Sequence, residues 1–177
     1  MYQLATVCVK REDAPGATLE QENVSGKGPS RMPFIAWTSE MSVEVKMLDN
    51  DHKKLAILIN DLHEGLMAGR DSKELDHIFY ELVAYTRVHF AHEEQLLAEA
   101  GYRDVSVHKQ EHNQKVQEVL RLQAHFLGAK ESADYLEVLD LLKYWLLTHM
   151  ENSDKEFVAF LKTTGVDSIL VGWNEPE

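Results

Sequence analysis

His108 and His112 stand four residues apart in the string HKQEH, and His89 and Glu93 have the same spacing in HFAHEEQLL. On a helix, residues i and i+4 lie one above the other on the same face, so each pair can aim two donor atoms at one ion. His149 and Asp154 follow five apart in THMENSD, and His52 stands by itself in DNDHKKL. Imidazole nitrogen and carboxylate oxygen, without a thiolate, make a donor set for iron, manganese or zinc rather than Cu(I). Seven donors are too many for one tetrahedral zinc. They suit two ions with the carboxylates shared between them. Each residue alone has a plainer reading. A single His52 on an apolar face serves equally well as a core histidine bonded to a carbonyl, and HxxxH pairs occur on ordinary surfaces. Convergence decides between the readings. A carboxylate such as Glu93 on an apolar stripe cannot be buried charged unless a cation faces it.

Other metal templates fail on spacing. His92-Glu93 looks like the opening of H-E-x-x-H, but the closing position is Leu96. A ferritin-like di-iron bundle needs Glu-x-x-His on two helices. Only Glu74-Leu-Asp-His77 fits, near a helix start, and it reads as surface. A haem site would use one or two axial ligands and leave the remaining histidines unexplained.

These residues must be carried by helices that share one interior. The first apolar stripe runs Leu48, His52, Leu55, Ile59, Leu62, Leu66, in steps of four and three. Asp49 or Asn50 is the expected cap and Gly69 the expected stop. The second runs Leu75, Ile78, Leu82, Tyr85, His89, Glu93, Leu96, with Asp71-x-x-Glu74 as a capping box and Gly101 as the stop. The third runs Val105, His108, His112, Val116, Val119, Leu122, Phe126, from Asp104 to Gly128. The fourth runs Leu136, Leu139, Leu142, Leu146, His149, Phe157, Phe160, from Ser132 to Gly165. Four such helices joined by short connections predict an all-α, up-down-up-down four-helix bundle. Residues 32–47 read as an apolar, mostly extended lead-in. Residues 1–31 lack periodicity and are rich in Gly, Pro, Ser and charge, which predicts a flexible N-terminal arm. The partly apolar tail, residues 166–177, is expected to pack loosely on one end.

The chain of 177 residues is long enough for one domain with a real core. Its formal charge is −12, and residues 1–31 hold four basic and four acidic side chains, so the whole excess lies on residues 32–177. Such a domain repels phosphate backbones and anionic lipid, which argues against nucleic acid and membrane as partners and leaves cations and neutral small molecules open. One cysteine, Cys8, permits neither an intrachain disulfide nor a Cys-rich metal site. No apolar run reaches the length of a membrane span, and Leu4–Val9 lacks the flanks of a signal peptide. The expectation is a soluble, cytoplasmic monomer whose protein partner, if any, is open.

The ordered set DNDHKKL, HFAHEEQLL, HKQEH and WLLTHMENSD, with its seven donors, resembles the hemerythrin family in its bacterial single-domain form. The resemblance covers residues 32–165, and none of the seven positions is substituted. It implies a non-haem centre of two iron ions (Fe2+/Fe3+) joined by an oxo or hydroxo bridge. His108, His112 and His149 would hold one iron, and His52 and His89 the other. Glu93 and Asp154 would bridge them, and a free position on the second iron would take dioxygen. It further implies that Leu55, Phe90, Trp145, Leu146 and Met150 wall the oxygen pocket, where a dry surface excludes water and anions. The implied function is reversible oxygen binding, as carrier, store or sensor, and not an enzyme. An oxidase, peroxidase or nitric-oxide-handling protein on the same centre is the alternative. MPFIAW resembles a usual family start, which leaves residues 1–31 as an added arm or a misplaced start.

Five residues turn roughly 140° on a regular α-helix. If His149 and Asp154 are to face one centre, the backbone between them must widen into a π-type turn. The remaining histidines take plainer roles. His63 lies eleven residues beyond His52, about 16 Å by helix rise. His77 and His125 read as exposed, and His92 and Glu94, one step off the inner face, as solvent neighbours, with a supporting bond behind a ligand as the alternative for one of them.

Overall fold

The computed structural model describes residues 32–128 and 132–163. Five helices follow a short 3-10 turn at Ser39–Met41: α1 (Lys46–Met67), α2 (Ser72–Glu99), α3 (Val105–Gly128), α4 (Ser132–His149) and α5 (Lys155–Thr163), with a π-turn at Met150–Asp154 joining the last two. The π-turn lies where the five-residue spacing requires it. Helix α1 packs on α2 and α4, and α3 packs on α2 and α4, so consecutive helices are neighbours around the four-helix bundle expected from the stripes. The expected stop at Gly165, the arm at 1–31 and the tail at 166–177 lie outside the described residues.

Local chemistry sets the corners. Helix α1 ends with Gly69 at φ +70, where Gly69 N–H donates to Leu66 O (3.0 Å) and Arg70 N–H to Gly65 O (2.9 Å). That is a Schellman cap, and its left-handed residue favours glycine. Gly101 ends α2 in the same way at φ +68, with Gly101 N–H on Ala98 O and Tyr102 N–H on Leu97 O. Asp71 caps α2 by accepting from Lys73 N–H and Glu74 N–H, both at 2.9 Å.

The start of α1 differs from expectation. Neither Asp49 nor Asn50 caps it; the helix begins a turn earlier, after Val45, which makes no side-chain cap. Asp49 instead reaches back from the first turn, accepting from Val43 N–H (2.8 Å) and the Ser42 hydroxyl (2.6 Å). It thereby pins the lead-in, which is irregular rather than extended. Farther upstream, Asn60 clasps the backbone of Ile35, accepting from its N–H (2.7 Å) and donating to its C=O (2.9 Å). On α4 the stripe slips by one position at its start: Leu136 is 39% exposed, while Val138 and Leu139 are buried.

Among the described residues the core has two apolar clusters. The larger contains Leu55, Ile59, Leu82, Phe90, Val119, Leu142, Trp145, Leu146 and Met150. The smaller contains Val43, Val45, Leu48, Leu96, Leu97, Phe157, Val158 and Leu161. Along α1, His52 falls between Leu48 of one and Leu55 of the other. Along α2, His89 and Glu93 fall between Leu82 and Leu96, and His149 and Asp154 fall between Leu146 and Phe157. The polar residues therefore form one layer with apolar packing above and below.

Candidate metal centre

That layer contains all seven predicted donors. Six are at most 3% exposed, and His108 is 8% exposed. The five imidazoles present Nε2 inward. Glu93 Oε1 lies 2.7 Å from His89 Nε2 and 3.6 Å from His149 Nε2, while its Oε2 lies 3.2 Å from His108 Nε2 and 3.1 Å from His112 Nε2. Asp154 Oδ2 lies 3.0 Å from His52 Nε2 and its Oδ1 3.3 Å from His149 Nε2. Each carboxylate thus offers one oxygen to each side of the layer. Two sets of donor atoms are close enough to share an ion: His52, His89, Glu93 and Asp154, and Glu93, His108 and His112. Glu93 belongs to both.

His108 Nε2 bonds to Glu93 Oε2 (3.2 Å), but elsewhere in the layer closeness is not hydrogen bonding. The Nε2 atoms of His52, His89, His112 and His149, Glu93 Oε1 and both oxygens of Asp154 are buried without a correctly angled partner. Buried polar atoms are otherwise nearly always paired. Atoms packed within about 3 Å of each other yet misaligned are aimed at a common point between them, which is what coordination to a cation requires. The donor set fits a non-haem metal such as iron. The electrostatics agree. Burial would raise the pKa of Glu93, but the charge of His89 and the imidazoles of His108, His112 and His149 hold it well below the ordinary 4.5. Burial would lower His89, yet Glu93 in front and Asp51 behind push it up to about 10. His149 is raised likewise, against its burial, by Asp154 and Glu93. In the metal-free chain, protons on histidine provide the cationic charge that the carboxylates need.

The aromatic walls sit directly on the ligand rings. Phe90 stacks on His112 with centroids 3.9 Å apart and planes within 6°, and meets His149 edge-on at 5.1 Å. Trp145 lies parallel to His149 at 6.1 Å. Leu55, Leu146 and Met150 are buried in the same cluster as Phe90 and Trp145. Two further rings adjoin the site without having been predicted there: Trp37 from the lead-in, near-parallel to His52 at 6.5 Å, and Phe157, edge-on to His108 at 5.9 Å.

The outward edges of the histidines hold what sequence reading missed. Asp51, 3% exposed, accepts from the Tyr85 hydroxyl (2.7 Å) and from His92 Nδ1–H (2.6 Å), with His89 Nδ1 at 3.7 Å from the same oxygen. Burial works against its charge, but His89, His92 and Tyr85 bring its pKa below the ordinary value. His112 Nδ1–H donates to Glu94 Oε1 (3.1 Å), whose other oxygen pairs with Lys109 (3.3 Å). His92 and Glu94 are therefore not mere solvent neighbours; both are half-buried and bonded beside the centre. The other histidines keep their plain roles: His63 stacks on Phe34, and His77 and His125 are exposed.

The family model "Hemerythrin HHE cation binding domain" matches residues 43–161. A bacteriohemerythrin of Pseudomonas aeruginosa (strain LESB58) is 32% identical over 127 residues, 72% of this chain and 81% of its own length. A hemerythrin-like protein of Naegleria gruberi is 32% identical over 125 residues, 71% of this chain and 92% of its own. A crystal structure of wild-type hemerythrin superposes with TM-score 0.60 at 27% identity, covering 72% of this chain and 98% of that one.

Proposed function

The chain belongs to the hemerythrin family, whose function is of the non-haem di-iron, oxygen-binding kind, and from that premise we propose that it binds dioxygen reversibly, as a carrier, store or sensor rather than as an enzyme. The observation that supports this most is the convergence of seven buried donors, with Glu93 and Asp154 each turning one oxygen to each side. In this reading His108, His112 and His149 would hold one iron, His52 and His89 would hold the other, and Glu93 and Asp154 would be shared between them. When bound, a ferrous pair supplies the two electrons that dioxygen takes up and gives back.

The chain's own residues create the conditions for reversal. Five neutral imidazoles and two carboxylates hold the ions without a thiolate that oxygen would oxidise. Phe90 and Trp145 cover the rings of His112 and His149, and Leu55, Leu146 and Met150 complete the apolar wall. Such a wall keeps out water and small anions and with them the protons that drive irreversible oxidation.

The test is direct. The chain is loaded with ferrous iron under argon and exposed to air. A visible charge-transfer band that disappears on return to argon without reductant is the expected result. Irreversible bleaching accompanied by substrate turnover would favour an oxidase, peroxidase or nitric-oxide-handling protein instead. His89→Ala should lose iron and the band together; full retention of both would overturn the ligand set.

A further inference from the structure

The seven inward residues are not equally deep. His108 is the most exposed, and its ring lines a cleft of about 340 Å³ where the start of α3 meets the π-turn and α5. Its Nε2 faces Glu93 at 3.2 Å, and its Nδ1 has no hydrogen-bond partner among the described residues. The other walls carry three carboxylates, Asp104, Glu111 and Glu156, and no lysine or arginine. The Tyr102 hydroxyl in the same cleft is pushed above its ordinary pKa by partial burial and then by these three carboxylates, a sign of the negative field there. The carboxylates do not form a holding site of their own: among the described residues, donors close enough to share an ion are only those of the buried layer. The neighbouring cleft between α3 and α4 is different, rimmed by Lys115, its ion-pair partner Glu118 and Arg121 over an apolar floor.

We propose that the acidic cleft is the loading path for the centre: Asp104, Glu111 and Glu156 concentrate a divalent cation at the mouth, and His108 is the first buried donor it meets. Clefts lined by one sign of charge focus the field and raise capture rates by about 10- to 1000-fold at low salt. Spread carboxylates suit transit, because an ion held tightly at the mouth would not move on. The proposal rests on the metal-centre reading, and its test separates the two.

Metal-free full-length chain is mixed with Fe2+ under argon in a stopped-flow instrument. Tryptophan quenching gives the rate, and iron per chain is measured after desalting. The combined variant D104N/E111Q/E156Q keeps, at the position before α3, a side chain of a type that can cap a helix. It should load about 10-fold more slowly at low ionic strength and reach the same final iron content. Salt at about 0.5 M, where screening is nearly complete, should bring the native chain down to the variant's rate. A control of equal charge change at exposed positions near the other end of the bundle, D61N/E64Q/E137Q, should slow loading less than about twofold, because distant exposed charges are screened. E111K alone, as a second variant, should also slow loading. Equal rates for the native chain and both cleft variants would overturn the proposal. So would equal slowing by the control, which would assign the effect to net charge, or loss of final iron content, which would make the carboxylates ligands. A native chain that takes up no iron would instead overturn the metal-centre reading.

Discussion

Asp51 stands behind His89, a ligand in the proposed centre. With Nε2 inward, the His89 ring turns its Nδ1 toward Asp51. Asp51 sits 3.7 Å from that nitrogen and is itself fixed by Tyr85 and His92 from α2. Histidines that bind metals generally carry such a partner, and its loss costs about 10- to 100-fold in affinity. Asp51→Asn should therefore weaken iron binding by about that factor, as read by competition with a chromogenic chelator. It should also destabilise the metal-free fold by about 1–3 kcal/mol, because the amide can put an N–H where the carboxylate accepted one. Tyr85→Phe removes one donor and leaves the acceptor in place, so its effect on affinity should be smaller. An unchanged chelator midpoint in Asp51→Asn would remove Asp51 from the positioning role. The seven inward residues could be picked out of the sequence because six of them interrupt an apolar stripe and Asp154 follows His149 by five. Asp51 could not be, because it stands in a polar run, DNDHKK, and its partners lie 34 and 41 residues away. His92 and Glu94 were misread for a related reason. They flank the inner face by one residue, and whether such a position meets solvent or a neighbouring helix depends on packing that periodicity does not encode.

At the scale of elements, stripe and glycine spacing sufficed for α2 and for the stops at Gly69 and Gly101, and the widened turn followed from the five-residue spacing of His149 and Asp154 once both were expected to face one centre. The start of α1 was displaced because a side chain that can cap a helix, Asp49, was committed to the lead-in instead. The π-turn is the element on which geometry and chemistry depend together. It inserts one residue into the α4–α5 helix, so that His149 and Asp154 both face the layer while Phe157, Val158 and Leu161 still reach the smaller cluster. Deleting the exposed Asn152 removes that extra residue and lets a regular helix run through. The register of α5 is then kept, and melting should remain cooperative within a few degrees of the native chain. Iron content after loading should also be kept, because His149 and Asp154, then four apart on a regular helix, still share a face. Inserting one alanine at the same place should rotate α5 by roughly 100° and withdraw three buried apolar residues, at a cost on the order of 5 kcal/mol. Calorimetry and iron assay read both variants, and the insertion should lose iron because Asp154 turns away with α5. Loss of iron from the deletion with its melting unchanged would show that the widened backbone itself is needed for binding.

Across the whole molecule, one polar layer between two apolar clusters makes stability and metal content interdependent. Without metal, the layer is held together by protons. His89 has a folded pKa of about 10 against an ordinary 6.5, so its contribution is complete below about 6.5 and is lost as pH rises through 10. His149 shifts in the same direction. Glu93 is depressed, so its contribution is present above its ordinary 4.5 and is lost as pH falls toward its low folded value. The metal-free chain should therefore be most stable between about pH 4.5 and 6.5 and should weaken steadily toward pH 9. Metal reverses the alkaline trend. It needs neutral imidazole, releases the protons on binding, and holds more tightly as pH rises. The gap in Tm between loaded and metal-free chain should widen from pH 6 to pH 9. A loss of about 2 kcal/mol in the metal-free form would correspond to roughly 5 °C for a domain of this size. Scanning calorimetry on both forms at each pH reads the gap, and a pH electrode during loading reads the protons. A gap that stays constant, with no protons released on loading, would mean that the buried histidines are already neutral and that some other charge balances Glu93.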